Sequence, residues 1–316
     1  MALAVDTGSG SGTGTGGPRR APVKTRLRRW TGLLYISPWI AGLLIFTAYP
    51  FAYSFYLSFT DWKGIGAKNF VGVDNYTSMF TDDPLFMKSV WNTAYYTIIS
   101  VPGGMILAFF LALLLNQRVR FMPIFRVAFY LPSVTIGVAT AVLWIHILGP
   151  DGAFNDLLGL FGIRGPNWFA SETWAMPGLI LMSFWGIGQN MIIYLAALQS
   201  VPQDLYDAAE IDGANSVQRT RHVTFPMITP AIFLTLILGI INSFQTFTVA
   251  LIVTNGGPND ATTFVLLHIY NNAFRYFQLG YASAMAWVLF LLMLVFTLIQ
   301  FGLARRWVFY QGEVTR

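Results

Sequence analysis

The chain has 316 residues, of which 55% are hydrophobic and only 10% charged, with a formal net charge of +5. An ordinary soluble domain carries about 25% charged residues, so this composition excludes a soluble enzyme or a nucleic-acid-binding domain and points to a membrane protein. There is no cysteine, which rules out disulfides, thiolate metal sites and a cysteine nucleophile.

Residues 1–23 are rich in Gly, Ser and Thr. They hold too little apolar surface to fold, and 1–29 is expected to be a disordered tail. The first apolar run begins near Trp30 and is too long for the core of a signal peptide, so it reads as a retained span. Six stretches lack any Asp, Glu, Lys or Arg: 31–59, 90–115, 127–148, 175–200, 227–253 and 281–303. Each is long enough for a helix to cross a hydrocarbon core of about 30 Å, and a charge at mid-bilayer costs several kcal/mol. Period-2 alternation is absent, which argues against a β-barrel. The expected fold is an all-α polytopic membrane protein with six transmembrane helices.

With six spans both termini lie on one side. That side holds 14 Lys/Arg, in the N-terminal tail, the 116–126 loop, the 201–226 loop and the C-terminus; the other holds five, Lys63, Lys68, Lys88, Arg164 and Arg275. The positive-inside rule puts both termini in the cytoplasm. Trp30, Trp62, Trp91, Trp168, Trp174 and Trp307 sit near span ends, where indoles favour the interface. Pro38, Pro50, Pro102, Pro132, Pro177 and Pro230 lie within or at the mouths of spans and predict kinks.

The 201–226 loop is more than a connector. Ser200 and Gln203 match a capping box, so a short helix is expected from Val201 to Asn215. Asp204, Asp207 and Glu210 recur near the positive end of its dipole, and Ala208, Ala209, Gly213 and Ala214 make a surface of small residues that a partner can approach closely. An interfacial helix would instead set large apolar residues against basic ones. Pro226 opens the fifth span.

Asp207-Ala208-Ala209, three residues, Gly213, nine residues, Val223, one residue and Phe225-Pro226 resemble the signature loop of ABC importer permeases, whose pattern is Glu-Ala-Ala, Gly, Ile and Leu-Pro at the same spacing. Asp207, Val223 and Phe225 are its conservative departures. Leu131-Pro132, Thr254-Asn255-Gly256-Gly257-Pro258, Gly280-Tyr281-Ala282-Ser283-Ala284 and Ser37-Pro38-Trp39 are similar to the carbohydrate-uptake branch of that family, the maltose and glycerol-3-phosphate permease type. The resemblance implies a type I importer permease fold over 30–310, with 201–226 as its coupling-helix loop, in a bacterial plasma membrane. It also implies partners: a second homologous permease, a cytoplasmic ABC ATPase dimer that binds ATP and Mg, an extracytoplasmic solute-binding protein, membrane lipid and a sugar. No nucleic acid is among them, and no cofactor is expected in this chain.

None of the four lysines, Lys24, Lys63, Lys68 and Lys88, lies in a phosphate-cradling G-x-x-x-x-G-K-[ST] loop, so ATP hydrolysis is expected in another chain and this one is not an enzyme. His146, His222 and His268 lack metal-site spacing; a polar-core role is expected for His146. No carboxylate lies within a span, which argues against a proton-coupled carrier. Asp207, Ala208, Ala209, Glu210, Gly213 and Pro226 are the expected ATPase-coupling residues. The polar cluster Asn242, Ser243, Gln245, Thr246 and Thr248, with Gln189 and Asn190, offers amides and hydroxyls to a neutral polyol, or bridges between helices. Gln189, Asn190, Trp185, Asn242, Phe244 and Gln245 are the pathway candidates. The alternatives are import of another solute such as glycerol-3-phosphate, and a non-energised membrane scaffold or enzyme. Phe264 to Phe277 is expected to form a re-entrant or surface helix.

Overall fold

The computed structural model describes residues 35–309 except 118 and 136; the expected tail 1–29 and Trp30 lie outside the described residues. The chain divides into two compact units, 1–53 and 54–316. The described part of the first unit is helical and belongs to α1 (Tyr35–Leu57). It contains a wide π turn over Leu44–Ala48, and Tyr49 stacks on Tyr53 with centroids 5.8 Å apart.

In the second unit α2 (Asp74–Thr81) leads into α3 (Pro84–Leu115). Then come α4 (Met122–Tyr130), a 3₁₀ turn (Leu131–Val134), α5 (Gly137–Ile147) and the short α6 (Ala153–Leu160). α7 (Ala175–Ser183) passes through a second 3₁₀ turn (Phe184–Gly186) into α8 (Gly188–Gln199). The short α9 (Gln203–Ile211) precedes the long α10 (Ser216–Phe244). α11 (Val265–Tyr270) runs into a π turn (Asn271–Arg275), and α12 (Leu279–Ala304) is the last described helix.

By length and composition α1, α3, α10 and α12 can each cross a membrane unbroken. The third and fourth apolar stretches are broken helices instead: α4 with its 3₁₀ turn bends by 99° into α5, and α7 with its own bends by 45° into α8. Six spans result if each bent pair counts as one. The fifth stretch also departs from the expected 227–253. Its helix starts eleven residues earlier, at Ser216, and ends at Phe244, with residues 245–247 outside the helix before the chain turns helical again and enters a π turn over Ala250–Thr254.

α3 is the central post, packed against α8 and α10. Hydroxyl pairs tie the three together: Tyr194 Oη lies 2.6 Å from Thr235 Oγ1, and Ser243 Oγ donates to Thr97 Oγ1 at 2.9 Å. Such groups find partners inside the bundle because lipid offers none. Small residues permit the close approach. A Cβ at Gly188 would collide with the Phe129 carbonyl of α4, and one at Gly239 would come within 2.9 Å of Val101 on α3.

Trp168 lies shortly before α7 and is buried: its indole donates to Asn155 Oδ1 at 2.9 Å and packs on Phe154 and Trp174. One expectation is corrected by the packing. His146 is exposed and, among the described residues, bonds only to the Val142 carbonyl of its own helix; the histidine in a polar core is His268, at 4% exposure.

His268 belongs to a node at the start of α3. Asp83 caps that helix, accepting from Phe86 N at 3.0 Å, with Pro84 in the first turn where its missing N–H costs nothing. The other Asp83 oxygen accepts from Tyr281 Oη at 2.7 Å and lies 2.8 Å from His268 Nε2. One carboxylate thus joins α3, α11 and α12. Burial works against its charged form, but the hydrogen bonds from His268 and Tyr281 outweigh burial and hold the carboxyl below the usual range. A depressed carboxylate value means stability that is fully present above the unfolded value, about pH 4, and lost as the pH falls through the folded one. Thermal unfolding followed from pH 7 to pH 3 is expected to show wild-type stability falling below pH 4 more steeply than that of Asp83→Asn.

Candidate functional site: a mid-bundle cavity and an exposed elbow helix

The three helix breaks meet around two adjoining cavities. One, of about 220 Å³, is lined by Tyr96, Ser100 and Gly104 of α3, Ser183, Gly186, Ile187 and Asn190 around the α7–α8 break, and Gly239, Asn242, Ser243 and Thr246 at the end of α10. The other, of about 210 Å³, lies among Pro132, Ser133, Thr135, Gly137 and Thr140 of the α4–α5 break, with Trp185 and Val249. Tyr96, Ser183 and Gly186 line both. Backbone that leaves the helix at membrane depth is tolerated where it is buried in protein or faces a cavity, and these breaks obey that rule.

Of the pathway candidates, Asn190 and Asn242 converge on the first cavity and Trp185 on the second. Trp185 also packs edge-on against Trp144, with centroids 6.0 Å apart. The others do not gather there. Phe244 turns away into the apolar core at 4% exposure, against Phe296. Gln245 is exposed and, among the described residues, reaches only Met293 Sδ at 3.9 Å, and Gln189 is exposed outside both linings. Helical periodicity explains the split: neighbours in sequence point about 100° apart, so Asn190 and Gln189 cannot share a face.

The sequence reading missed Tyr96, Ser100 and Ser183. Tyr96 and Ser100 are four residues apart, hence on one helix face, and that pairing in an apolar run was the available signal. Ser183 carries none, because only the α7–α8 break brings it to the wall.

A larger cavity of about 380 Å³ lies near the Asp83 end of the bundle, lined by Asp61, Trp62, Lys63, Asn75, Asp82, Asp83 and others. Several of its polar groups are already paired. Both Asp61 oxygens accept from Asn69, Asp83 is held by Tyr281 and Phe86, and Asn75 donates to the Ser58 and Thr60 carbonyls. Unlike the two smaller cavities it is not framed by the helix breaks. Among the described residues no group of three or more His, Asp or Glu is placed to hold a metal ion.

At the other end of α3's length the 201–226 loop is an elbow. α9 is shorter than the expected 201–215, and its cap is different. Pro202 takes the N-cap position without a side-chain bond, while Ser200 Oγ turns back to the Ala197 carbonyl at 2.8 Å. The capping box forms at Asn215 and Gln218 instead, opening α10. The helix ends where Gly213 takes φ +74°. Ala214 N donates to the Ala209 carbonyl at 2.9 Å and Gly213 N to that of Glu210 at 3.0 Å, the double closure of a Schellman turn. Asp207, Ala208, Glu210 and Gly213 are exposed and Ala209 is half-buried. Ile211 at 87% and Val217 at 75% exposure have no apolar cover. Pro226 stands apart from this surface, within α10.

A Cβ at Gly213 meets nothing within 4 Å, so only the backbone requires glycine there. Gly213→Ala is expected to cost roughly 1–2 kcal/mol of local turn stability and Gly213→Asn less, since Asn tolerates this region. Hydrogen exchange of residues 203–215 measures both.

Residues 100–308 match the family model described as binding-protein-dependent transport system inner membrane component. The chain is 42% identical over 286 residues to the probable ABC transporter permease protein YesP of Bacillus subtilis, covering 89% of this chain and 93% of that one. It is 34% identical to the lactose transport system permease protein LacF of Rhizobium radiobacter, covering 89% and 97%, and 33% identical to the sulfoquinovosyl glycerol transport system permease protein SmoG of Agrobacterium fabrum, covering 91% and 99%. Its fold is similar to a chain in the crystal structure of a bacterial ABC transporter involved in alginate import, with a TM-score of 0.78 at 24% identity over 90% of this chain and 98% of that one.

Proposed function

The chain belongs to the family of binding-protein-dependent transport system inner membrane components, and we propose that it is the permease subunit of an ATP-driven importer that moves a carbohydrate. It is a multi-pass membrane protein and a transporter component rather than an enzyme. The observation that carries the reading is α9. An exposed acidic helix with the signature spacing, flanked by uncovered Ile211 and Val217, is a surface built to be covered by a second protein. The partner is a cytoplasmic ABC ATPase dimer, to which ATP and Mg belong. Asp207, Ala208, Ala209, Glu210 and Gly213 dock on it, and its closure is passed through the elbow to the bundle.

The carbohydrate assignment rests on the relatives named for lactose and sulfoquinovosyl glycerol, and on the lining of the mid-bundle cavities. Amides of Asn190 and Asn242, hydroxyls of Tyr96, Ser100, Ser183 and Thr246 and the indole of Trp185 surround a space free of full charges. Polyols are recognised by such groups: neutral donors and acceptors with an aromatic face beside them. A strongly anionic solute such as glycerol-3-phosphate would find no cation in either lining, which disfavours it here. A solute-binding protein delivers the sugar at the Asp83 end, and a second homologous permease completes the pathway. With Lys/Arg distributed fourteen to five, both termini are cytoplasmic. The permease domain covers 30–310.

Mass spectrometry of a tagged copy purified in mild detergent is the first test. Recovery of an ABC ATPase and a second permease is expected; recovery of the chain alone, under conditions that keep a related importer intact, would overturn the reading. Ile211→Glu is expected to lower ATPase recovery while leaving the second permease in place. Asn190→Ala and Asn242→Ala are each expected to weaken sugar uptake about five- to tenfold, the worth of one hydrogen bond, with assembly unchanged.

A further inference from the structure

The elbow is not symmetric. On the α10 side, Tyr206 Oη lies 3.0 Å from Thr224 Oγ1, and Arg219 Nη1 lies 3.2 Å from Glu210 Oε2. Thr224 is 4% exposed. On the α8 side no side-chain hydrogen bond joins α9 to α8 among the described residues; Ser200 bonds within its own helix, and Pro202 at ψ 134° is extended backbone.

Arg219 and Thr224 are five residues apart. On an α-helix they would point about 140° away from one another and could not both reach α9. Here Thr220–Thr224 is a π turn, in which Phe225 N donates to the Thr220 carbonyl. Bonding at i−5 widens the turn and brings residues five apart closer to one face. Pro226 follows directly and has no N–H to offer the His222 carbonyl, so the α register is already weakened there. The same arrangement recurs at Leu44–Ala48, where Tyr49 N donates to the Leu44 carbonyl and Pro50 follows. Proline does not impose the turn alone, since Pro102 and Pro230 lie within unbroken helix. At the elbow the proline and the bonds to α9 act together.

We infer that Tyr206, Thr224 and Pro226 are positioning residues: the π turn locks α9 to α10, so that α9 moves with α10 as one body and hinges against α8 at residues 200–202. This deepens the function proposed above by naming the helix that receives the ATPase stroke. It also gives the signature proline a role away from the docking surface.

The absence of cysteine from the chain makes the test direct. Spin labels are placed at Asp204→Cys with Ser216→Cys, reporting α9 against α10, and at Asp204→Cys with Gln199→Cys, reporting α9 against α8. In the assembled complex the first distance is expected to stay narrow and constant between nucleotide-free and ATP-bound states, while the second shifts. A constant second distance with a shifting first would overturn the lock. In the full chain by itself, Pro226→Ala and Thr224→Val are expected to broaden the first distance, and Thr224→Ser to restore it. The loss of one neutral hydrogen bond shifts the locked population about fivefold. An unchanged first distance in Pro226→Ala and Thr224→Val would also overturn the lock. Thr224→Val in the complex is expected to lower solute moved per ATP hydrolysed, with the ATPase still bound, and Thr224→Ser to restore it. The measurements on the chain alone need no ATPase, so the lock and the importer reading fail separately.

Discussion

Every backbone N–H and C=O that enters hydrocarbon must find its partner inside the protein. That constraint makes the charge-free stretches helical and also decides where the chain is allowed to stop being helical. The breaks at 131–135, 184–187 and 245–247 do not face outwards at random; they surround the two cavities that share Tyr96, Ser183 and Gly186. Irregular backbone at that depth is the condition for a polar cavity there, because it brings residues such as Ser183 and Thr246 to a wall that a straight helix would turn elsewhere.

The constraint at the bundle's ends is different, since water can satisfy groups there, and specificity comes from charge and turn chemistry. Asp83 uses both oxygens to cap α3 and to join α11 and α12, so one residue sets the relative placement of three elements. At the other end Gly213 closes α9 in a conformation that costs other residues strain, and the capping box of Asn215 and Gln218 starts α10 at once. Two helix ends within a few residues make a stiff corner. A stiff corner is what a helix needs if a push on its face is to reach the spans rather than be absorbed by the loop.

Small residues link the two levels. Gly188 lets α8 meet the backbone of α4, and Gly239 lets α10 meet Val101 of α3. Close backbone contact holds α10 directly against α3 and α8, the helices that carry Tyr96 and Asn190. α10 runs from the exposed elbow to the cavity, with Thr224 at one end and Asn242 at the other.

The sequence by itself determined the class of structure, the number of apolar segments and the identity of the elbow, because each depends on local properties: absence of charge over a bilayer's thickness, and a glycine and a proline at fixed offsets. It also singled out Asn190 and Asn242, since amides in an apolar run are conspicuous. Tertiary structure alone decided which polar groups meet. Gln189 and Gln245 have the same chemistry as their neighbours but the wrong azimuth, and Phe244 belongs to the core. It also decided that the cap of α9 is not Ser200, whose hydroxyl found the Ala197 carbonyl of its own helix, and that His268 rather than His146 is buried in a polar node. The fifth span extends back to Ser216 because a π turn carries the helix past Pro226. These outcomes rest on contacts between residues distant in the chain, or on a helix register with no periodic signature, and neither is written in local sequence.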